Sequence, residues 1–210
     1  MDNDQNNQEL ELAAEEQPTE ESPIEPRLLG TEGSIAHHGI ALEVFGKGIV
    51  IIGKSGIGKS EIGLELIDRG HRLICDDLVA GTLENDQVML SSPHEFGLGF
   101  MEIRGVGFIN AQYFFGKNCI CPKMPLFIVI KLVDYDMLDE INKDRLKQLI
   151  REVKIFHKRF PLYQLPIGAN RNLPVLIELI VKYAIAREEG YDSHQAFIRG
   201  QFDFMQGVLK

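Results

Sequence analysis

Apolar positions cluster from residue 40 onward, where Ile40-Ala41-Leu42-Glu43-Val44-Phe45 and Gly48-Ile49-Val50-Ile51-Ile52 flank Gly46-Lys47. Two nearly continuous apolar runs separated by a glycine turn predict a hairpin of buried strands. Ile62, Leu64, Leu66 and Ile67 then approximate one face of a helix that Gly70 stops, which sets its span at about 59–69. Arg72-Leu73-Ile74-Cys75 reads as a short strand ending at Asp76-Asp77, and Leu78 to Leu83 with Gln87 to Leu90 reads as a second hairpin around Asn85-Asp86. A loop follows from Ser91 to Gly99, then strands at 101–104 and 126–133. Beyond Asp134 the pattern turns helical: Lys143 to Ile155 is amphipathic, and Asn172 to Glu188 carries Leu173, Leu176, Ile177, Ile180 and Ala184 on one side, with Gly190 as its stop. The class predicted is α/β with a mixed, strand-rich central sheet. No internal repeat is visible, which removes solenoid architectures.

Between the strand at 49–52 and the helix at 59–69 lies Gly53-Lys54-Ser55-Gly56-Ile57-Gly58-Lys59-Ser60, which fits G-x-x-x-x-G-K-[ST] at every fixed position. Strand, glycine loop and helix in that order make a phosphate loop. Glycines let successive N–H groups curl around a polyphosphate while the helix aims its positive end there. Lys59 then reaches the β- and γ-phosphates, and the Ser60 hydroxyl offers a ligand to Mg2+, a hard cation that also needs carboxylates or water. Carboxylates at the carboxyl end of a neighbouring strand face a bound phosphate, which makes Asp76-Asp77 the second anchor. A glycine-rich turn of purely structural purpose requires neither the lysine nor the hydroxyl.

Composition narrows the partners. Of 210 residues, the first 26 hold nine acidic residues and no basic ones, so the net charge of −9 comes from the tail and the remainder is balanced at 22 of each sign. A balanced folded part without a Lys/Arg run argues against a general nucleic-acid binder. Rich in Asn, Gln and Glu and poor in large apolar residues, the segment 1–27 reads as a disordered acidic tail, with a docking arm as its functional alternative, and 28–210 as one catalytic domain. No apolar run reaches the ~18 residues of a membrane span and the N-terminus lacks signal-peptide character, so the reading is cytoplasmic, with no membrane partner. Cys75, Cys119 and Cys121 imply no disulfide framework. Without a second pair, Cys119-x-Cys121 reads as two thiols on a strand.

A collinear set of motifs goes further: His37-His38-Gly39, the phosphate loop running into Glu61, Arg69-Gly70-His71-Arg72-Leu73 into Asp76-Asp77, and Glu102-Ile103-Arg104-Gly105-Val106-Gly107-Phe108-Ile109-Asn110. From about His38 to about Glu189 the chain resembles the catalytic domain of HPr kinase/phosphorylase, which phosphorylates a serine of the phosphocarrier HPr and reverses this by phosphorolysis. The resemblance implies a phosphate-loop ATP-binding fold related to phosphoenolpyruvate carboxykinase, assembled as hexamers, with HPr or an HPr-like carrier as partner. By the same resemblance Lys59 binds the β/γ-phosphates, Ser60 and Glu102 hold Mg2+, Asp77 accepts the serine proton, and His38 is a further active residue. Arg145 aligns with a catalytic arginine in D-R-L-G, although Lys147 replaces the glycine.

Two departures stand out. Full-length members carry a separate N-terminal domain of more than a hundred residues where this chain has an acidic tail. Where the family reads V-R-P-G-R-N, this chain reads Ile167-Gly168-Ala169-Asn170-Arg171-Asn172, which takes an arginine from a loop associated with dephosphorylation. The expected function is therefore an ATP-dependent serine kinase with weaker phosphorolysis. Its rival is a nucleotide-sensing regulator without kinase activity, which has no use for a base at the serine position.

Overall fold

The computed structural model describes residues 27–28, 34–134, 150–168 and 171–208. Residues 1–26, most of the expected acidic tail, lie outside the described residues, and Arg27–Leu28 forms a two-residue strand, β1, against Ser34–His38, β2.

The predicted hairpin forms from Ile40–Val44 (β3) and Lys47–Ile52 (β4), paired antiparallel. Its turn is Phe45-Gly46 rather than Gly46-Lys47, because both residues take positive φ (51° and 77°) and Lys47 is thereby freed to pair with Val44. The helix after the glycine loop, α1, spans Lys59–Asp68. Arg72–Cys75 (β5) then runs antiparallel to β3, so β4 and β5 point the same way. The second hairpin is Leu78–Glu84 (β6) with Gln87–Ser91 (β7), turned at Asn85-Asp86 with φ of 47° and 61°. Phe100–Ile103 (β8) and Gly107–Asn110 (β9) make a separate two-stranded ribbon, of which only the first strand is predicted by the apolar pattern. A short helix, α2, follows at Ala111–Phe115. Cys119 and Cys121 are buried, with Cys119 in a 3-10 turn rather than on a strand.

Lys123–Asp134 (β10) joins the two halves of the sheet. It pairs antiparallel with β7 through residues 123–125, parallel with β4 through 126–131, and parallel with Lys158–Ile167 (β12) through 129–134. The ten-stranded sheet therefore runs β1-β2-β6-β7-β10-β4-β3-β5, with β12 and Ile150–Ile155 (β11) attached beside β10. The helix expected over 143–155 is corrected here. Residues 143–149 lie outside the described residues, and Ile150–Ile155 is a strand paired antiparallel with β12 across a turn in which Phe156 takes φ of 55°. Leu146, Ile150 and Val153 mimic helical spacing, but the inward-facing pair is Val153 and Ile155, two apart, and cross-strand packing overrides propensity.

Alternation along the central strands decides the layering. Ile40, Leu42, Ile49, Ile51, Ile128 and Ile130 face α1 and Leu173–Glu188 (α3), meeting Leu66, Ile177 and Val181. Ala41, Val50, Ile52 and Val129 face the opposite way, toward Val79, Val88 and Leu90 of the second hairpin and Leu162 of β12. Each fully buried Ile or Leu is worth about 1.5–3 kcal/mol, which is why these strands read as nearly continuous apolar runs. Gly48 sits where the chain crosses β10, and a Cβ there would collide with the Pro125 carbonyl. The last helix, α4 at Ser193–Val208, begins with Asp192 accepting from the His194 and Gln195 amides at 2.9 and 3.1 Å. It exposes Phe197, Ile198, Phe202, Phe204 and Met205.

A polar clamp fastens α3 to the end of α1. Arg69 donates from Nε and Nη2 to the two oxygens of Glu178 at 2.8 and 2.6 Å, and His71 Nε2 lies 3.0 Å from Glu178 Oε1. These bonds, Arg69 first, bring the Glu178 carboxyl down from 4.5 to about 2. A carboxyl held low in the fold contributes stability above its unfolded pKa and loses it as pH falls through its folded value. Glu178→Gln is therefore expected to cost about 1–3 kcal/mol at pH 7. In urea titrations its deficit against wild type should narrow steadily between pH 4.5 and 2. A deficit independent of pH would mean that packing rather than charge makes the clamp.

Candidate active site

β4 ends at Ile52, and the chain leaves the sheet through Gly53, whose φ of 157° is one that residues with a side chain rarely adopt. Gly56 and Gly58 hold φ of 76° and 97°, left-handed values that side chains resist, and Gly58 opens α1. No side chain caps α1, so its first amides stay directed at the concavity of the loop. Lys59 Nζ donates to the carbonyls of Gly53 and Lys54 at 3.1 and 3.0 Å, which holds the ammonium at the loop's inner side. An uncapped helix end, a glycine arc that side chains would fill and an internally held lysine together fit a polyphosphate.

At the carboxyl end of β5 the two aspartates diverge. Asp76 is mostly buried: its Oδ1 accepts the Ser60 hydroxyl at 3.0 Å and its Oδ2 faces the Glu102 amide at 3.4 Å. Burial pushes its carboxyl up, opposed by the Ser60 hydroxyl and the backbone amides of Asp77 and Glu102. The family resemblance assigns the metal to Ser60 and Glu102; Asp76 is the carboxylate that touches Ser60, and a largely buried acid beside a serine at the start of α1 suits a hard divalent cation. Two acids end the strand, and their order alone does not say which of them faces the helix.

Asp77 turns outward, with 85% of its side chain exposed. The Leu78 amide donates to the Asp76 carbonyl at 2.9 Å across Asp77, whose φ of 66° makes this a γ-turn of the rarer, positive-φ kind. Its carbonyl accepts the Gly39 amide at 3.1 Å and His38 Nδ1 at 3.2 Å. Because a carbonyl only accepts, Nδ1 carries the hydrogen, and it also lies 3.6 Å from Asp77 Oδ1. Neighbouring residues on β2 face opposite ways, so His38 reaches Asp77 while His37 turns toward the apolar cavity between the sheet's layers. Burial holds the His37 imidazole below its usual value.

The ribbon β8–β9 brings a residue not assigned to the site by sequence reasoning. A Cβ on Gly56 would lie 2.6 Å from Arg104 Nη2, so this guanidinium leans over the tip of the loop. The structure thus brings together Lys59, Ser60, Asp76, Asp77, His38, Glu102 and Arg104. Arg145, expected as a catalytic arginine, lies outside the described residues. Gly168 is exposed at the end of β12, and Arg171 Nη1 donates to the Pro166 carbonyl at 2.9 Å.

Fold and site place the chain among mixed α/β domains built on a strand, glycine loop and helix with acids at the next strand end. The profile of the HPr Serine kinase C-terminal domain matches residues 31–201, and the chain belongs to that family. It is 38% identical over 163 residues to the HPr kinase/phosphorylase of Chloroherpeton thalassium, which covers 78% of this chain and 47% of that protein. The Streptococcus gordonii HPr kinase/phosphorylase is 36% identical over 162 residues, covering 76% of this chain and 51% of that one. This chain thus spans about half the length of the curated relatives it matches. The solved HPr(Ser) kinase/phosphatase from Coxiella burnetii superposes with a TM-score of 0.70 at 36% identity, covering 77% of this chain and 97% of that chain.

Burial of Asp76 sets a trade between stability and chemistry. A carboxyl raised in the fold adds stability below its unfolded pKa and loses it as pH rises through the folded one. Asp76→Asn, without nucleotide or Mg2+, should therefore melt higher than wild type at pH 7, with the gap closing toward pH 4 and below. Scanning calorimetry across that range checks this; a variant less stable at neutral pH would show that the ionised carboxylate is held favourably.

Proposed function

We propose that the chain transfers the γ-phosphoryl of ATP to a serine of HPr or an HPr-like phosphocarrier. The observation that carries this reading is the meeting, in a member of the HPr kinase family, of the loop lysine, the Ser60–Asp76 pair and an outward carboxylate at Asp77. A nucleotide sensor needs the first two and not the third.

The glycine arc and α1 amides hold the β/γ-phosphates, with Lys59 moving from the Gly53 and Lys54 carbonyls to their oxygens. Ser60, Asp76 and Glu102 would hold Mg2+, which when bound would offset charge on the transferring group. Asp77, exposed on the open side, accepts the proton of the attacking serine hydroxyl as the serine oxygen bonds to the γ-phosphorus and the bond to ADP breaks. His38 orients Asp77 through its carbonyl and carboxylate contacts. Arg104 supplies a further positive charge over the loop tip. We place the protein in the cytoplasm and expect the hexameric assembly that the family resemblance implies; no helix of the described residues is long and apolar enough to cross a membrane.

Incubation with ATP, Mg2+ and HPr-family proteins, followed by mass spectrometry, tests the reading; absence of phosphoserine on every carrier would sink it. Lys59→Ala should lose both ATP binding and transfer. Asp77→Asn should bind ATP and transfer about 10²–10⁴-fold more slowly, the usual cost of losing a general base. Wild-type turnover by Asp77→Asn would remove the proposed base.

Direction of the reaction depends on the end of β12. Phosphorolysis brings inorganic phosphate beside a phosphoserine, an arrangement that a guanidinium fork suits. Gly168 stands where the family resemblance puts an arginine, and Arg171 is occupied by the Pro166 carbonyl. Phosphorolysis should therefore run well below the kinase rate, and Gly168→Arg, whose Cβ would make an ordinary van der Waals contact with Arg171 Cδ at 4.0 Å, should raise it by about tenfold or more. Pyrophosphate release from phosphorylated HPr measures this, and comparable forward and reverse rates in the wild type would refute it.

A further inference from the structure

The second residue of the glycine loop is held from two directions. The Lys54 carbonyl accepts the Lys59 ammonium at 3.0 Å and the Ile57 amide at 3.3 Å. Its own ammonium donates to Asp134 Oδ2 at 2.8 Å. Asp134 is the last residue of β10, two beyond Leu132, against which Gly53 packs so closely that a Cβ there would lie 3.1 Å from the Leu132 carbonyl oxygen. The start of the loop is thus attached to β10 by packing at Gly53 and by charge at Lys54. Past that point Ser55 and Gly56 are exposed.

Stability does not explain the pair. With side chains 59% and 40% exposed, it belongs to the class of surface ion pairs whose median contribution is about 0–1 kcal/mol. What the pair does fix is one of the two loop residues, Gly53 and Lys54, whose carbonyls hold Lys59. A lysine side chain free in solvent would leave that peptide unit tethered only through its own turn. Tied to a strand end, its carbonyl keeps one orientation, and Lys59 is held ready on the inner side of the arc.

We propose that Asp134 is a positioning residue of the glycine loop, acting through Lys54 on the placement of Lys59. This rests on the reading of the loop as the ATP site. It is opposed by a different use of the same residues, in which Lys54 leaves Asp134 and touches the phosphates directly. The two uses differ in sign: freeing Lys54 harms binding if Asp134 positions the loop, and helps binding if Asp134 competes with phosphate.

The test measures Mg·ATP affinity by calorimetry, with steady-state kinetics and thermal melting, on the full chain and its Asp134→Asn, Lys54→Met, Lys54→Arg and Lys54→Met/Asp134→Asn variants. Asp134→Asn and Lys54→Met should each weaken Mg·ATP binding about 3–10-fold, the double variant no more than either single one, and kcat should change less than KM. Lys54→Arg should restore binding, and melting temperatures should stay within about 2 °C of wild type. Unchanged or tighter binding by Asp134→Asn, in a wild type that binds Mg·ATP, overturns this proposal alone. A larger loss in Lys54→Met than in Asp134→Asn overturns it in favour of direct phosphate contact, and losses that follow the melting temperature overturn it in favour of a structural role. A wild type that does not bind Mg·ATP removes both this proposal and the nucleotide reading.

Discussion

Burial on both faces of β3, β4 and β10 is the constraint from which the remaining architecture follows. A sheet with apolar residues packed above and below has no surface on which a charged side chain can sit without a partner. Glu43 shows what an exception requires: it is 8% exposed within β3 and is met by Arg72 Nε at 2.6 Å and by the Gly46 amide. Polar chemistry is thereby driven to strand ends. Since β3 runs antiparallel to both β4 and β5, while β10 runs parallel to β4, the carboxyl ends of β4, β5 and β10 collect on one side. Gly53, Asp76 and Asp134 occupy these three ends.

Local conformations at those ends run against ordinary preference. Asp76 is an acid partly withdrawn from water, and Asp77 takes a left-handed backbone that residues with a Cβ seldom adopt. Each is disfavoured taken alone, and each is held by neighbours that the rest of the fold fixes: Ser60 by α1, the Glu102 amide by the β8–β9 ribbon, Gly39 and His38 by β2. Strain of this kind persists where surrounding structure over-determines it, which happens most often at sites of chemistry. Three separate pieces of chain therefore converge on two adjacent residues.

Much of this arrangement was legible in the sequence because its physical causes are local. The apolar runs of β4 and β10, the glycine loop and the opening of α1 each carry their own periodicity or turn chemistry, and the Asn85-Asp86 turn declared its hairpin. What escaped was set by distant partners. Ile150–Ile155 reads as a helix until β12 offers it an antiparallel neighbour. At the site, residue identities were legible while pairings were not. Nothing in the order Asp76-Asp77 says which one turns inward, and the approach of Arg104 to Gly56 and of Lys54 to Asp134 depends on strand placement across the sheet.

The parallel pairing of β4 with β10 also has a consequence in time. Ile52 lies opposite Lys131, so the two partners are separated by 79 residues of chain. At synthesis rates of about 5–20 residues per second, β4 emerges roughly 4–16 seconds before the strand that completes its other edge. Until then the β3–β4 hairpin is a strongly apolar ribbon with one long unpaired edge, the sort of surface that invites pairing with other chains. The same distance delays the loop, whose first residue packs on Leu132. For a nascent chain of this protein, the glycine loop reaches its final form only after the sheet behind it has closed.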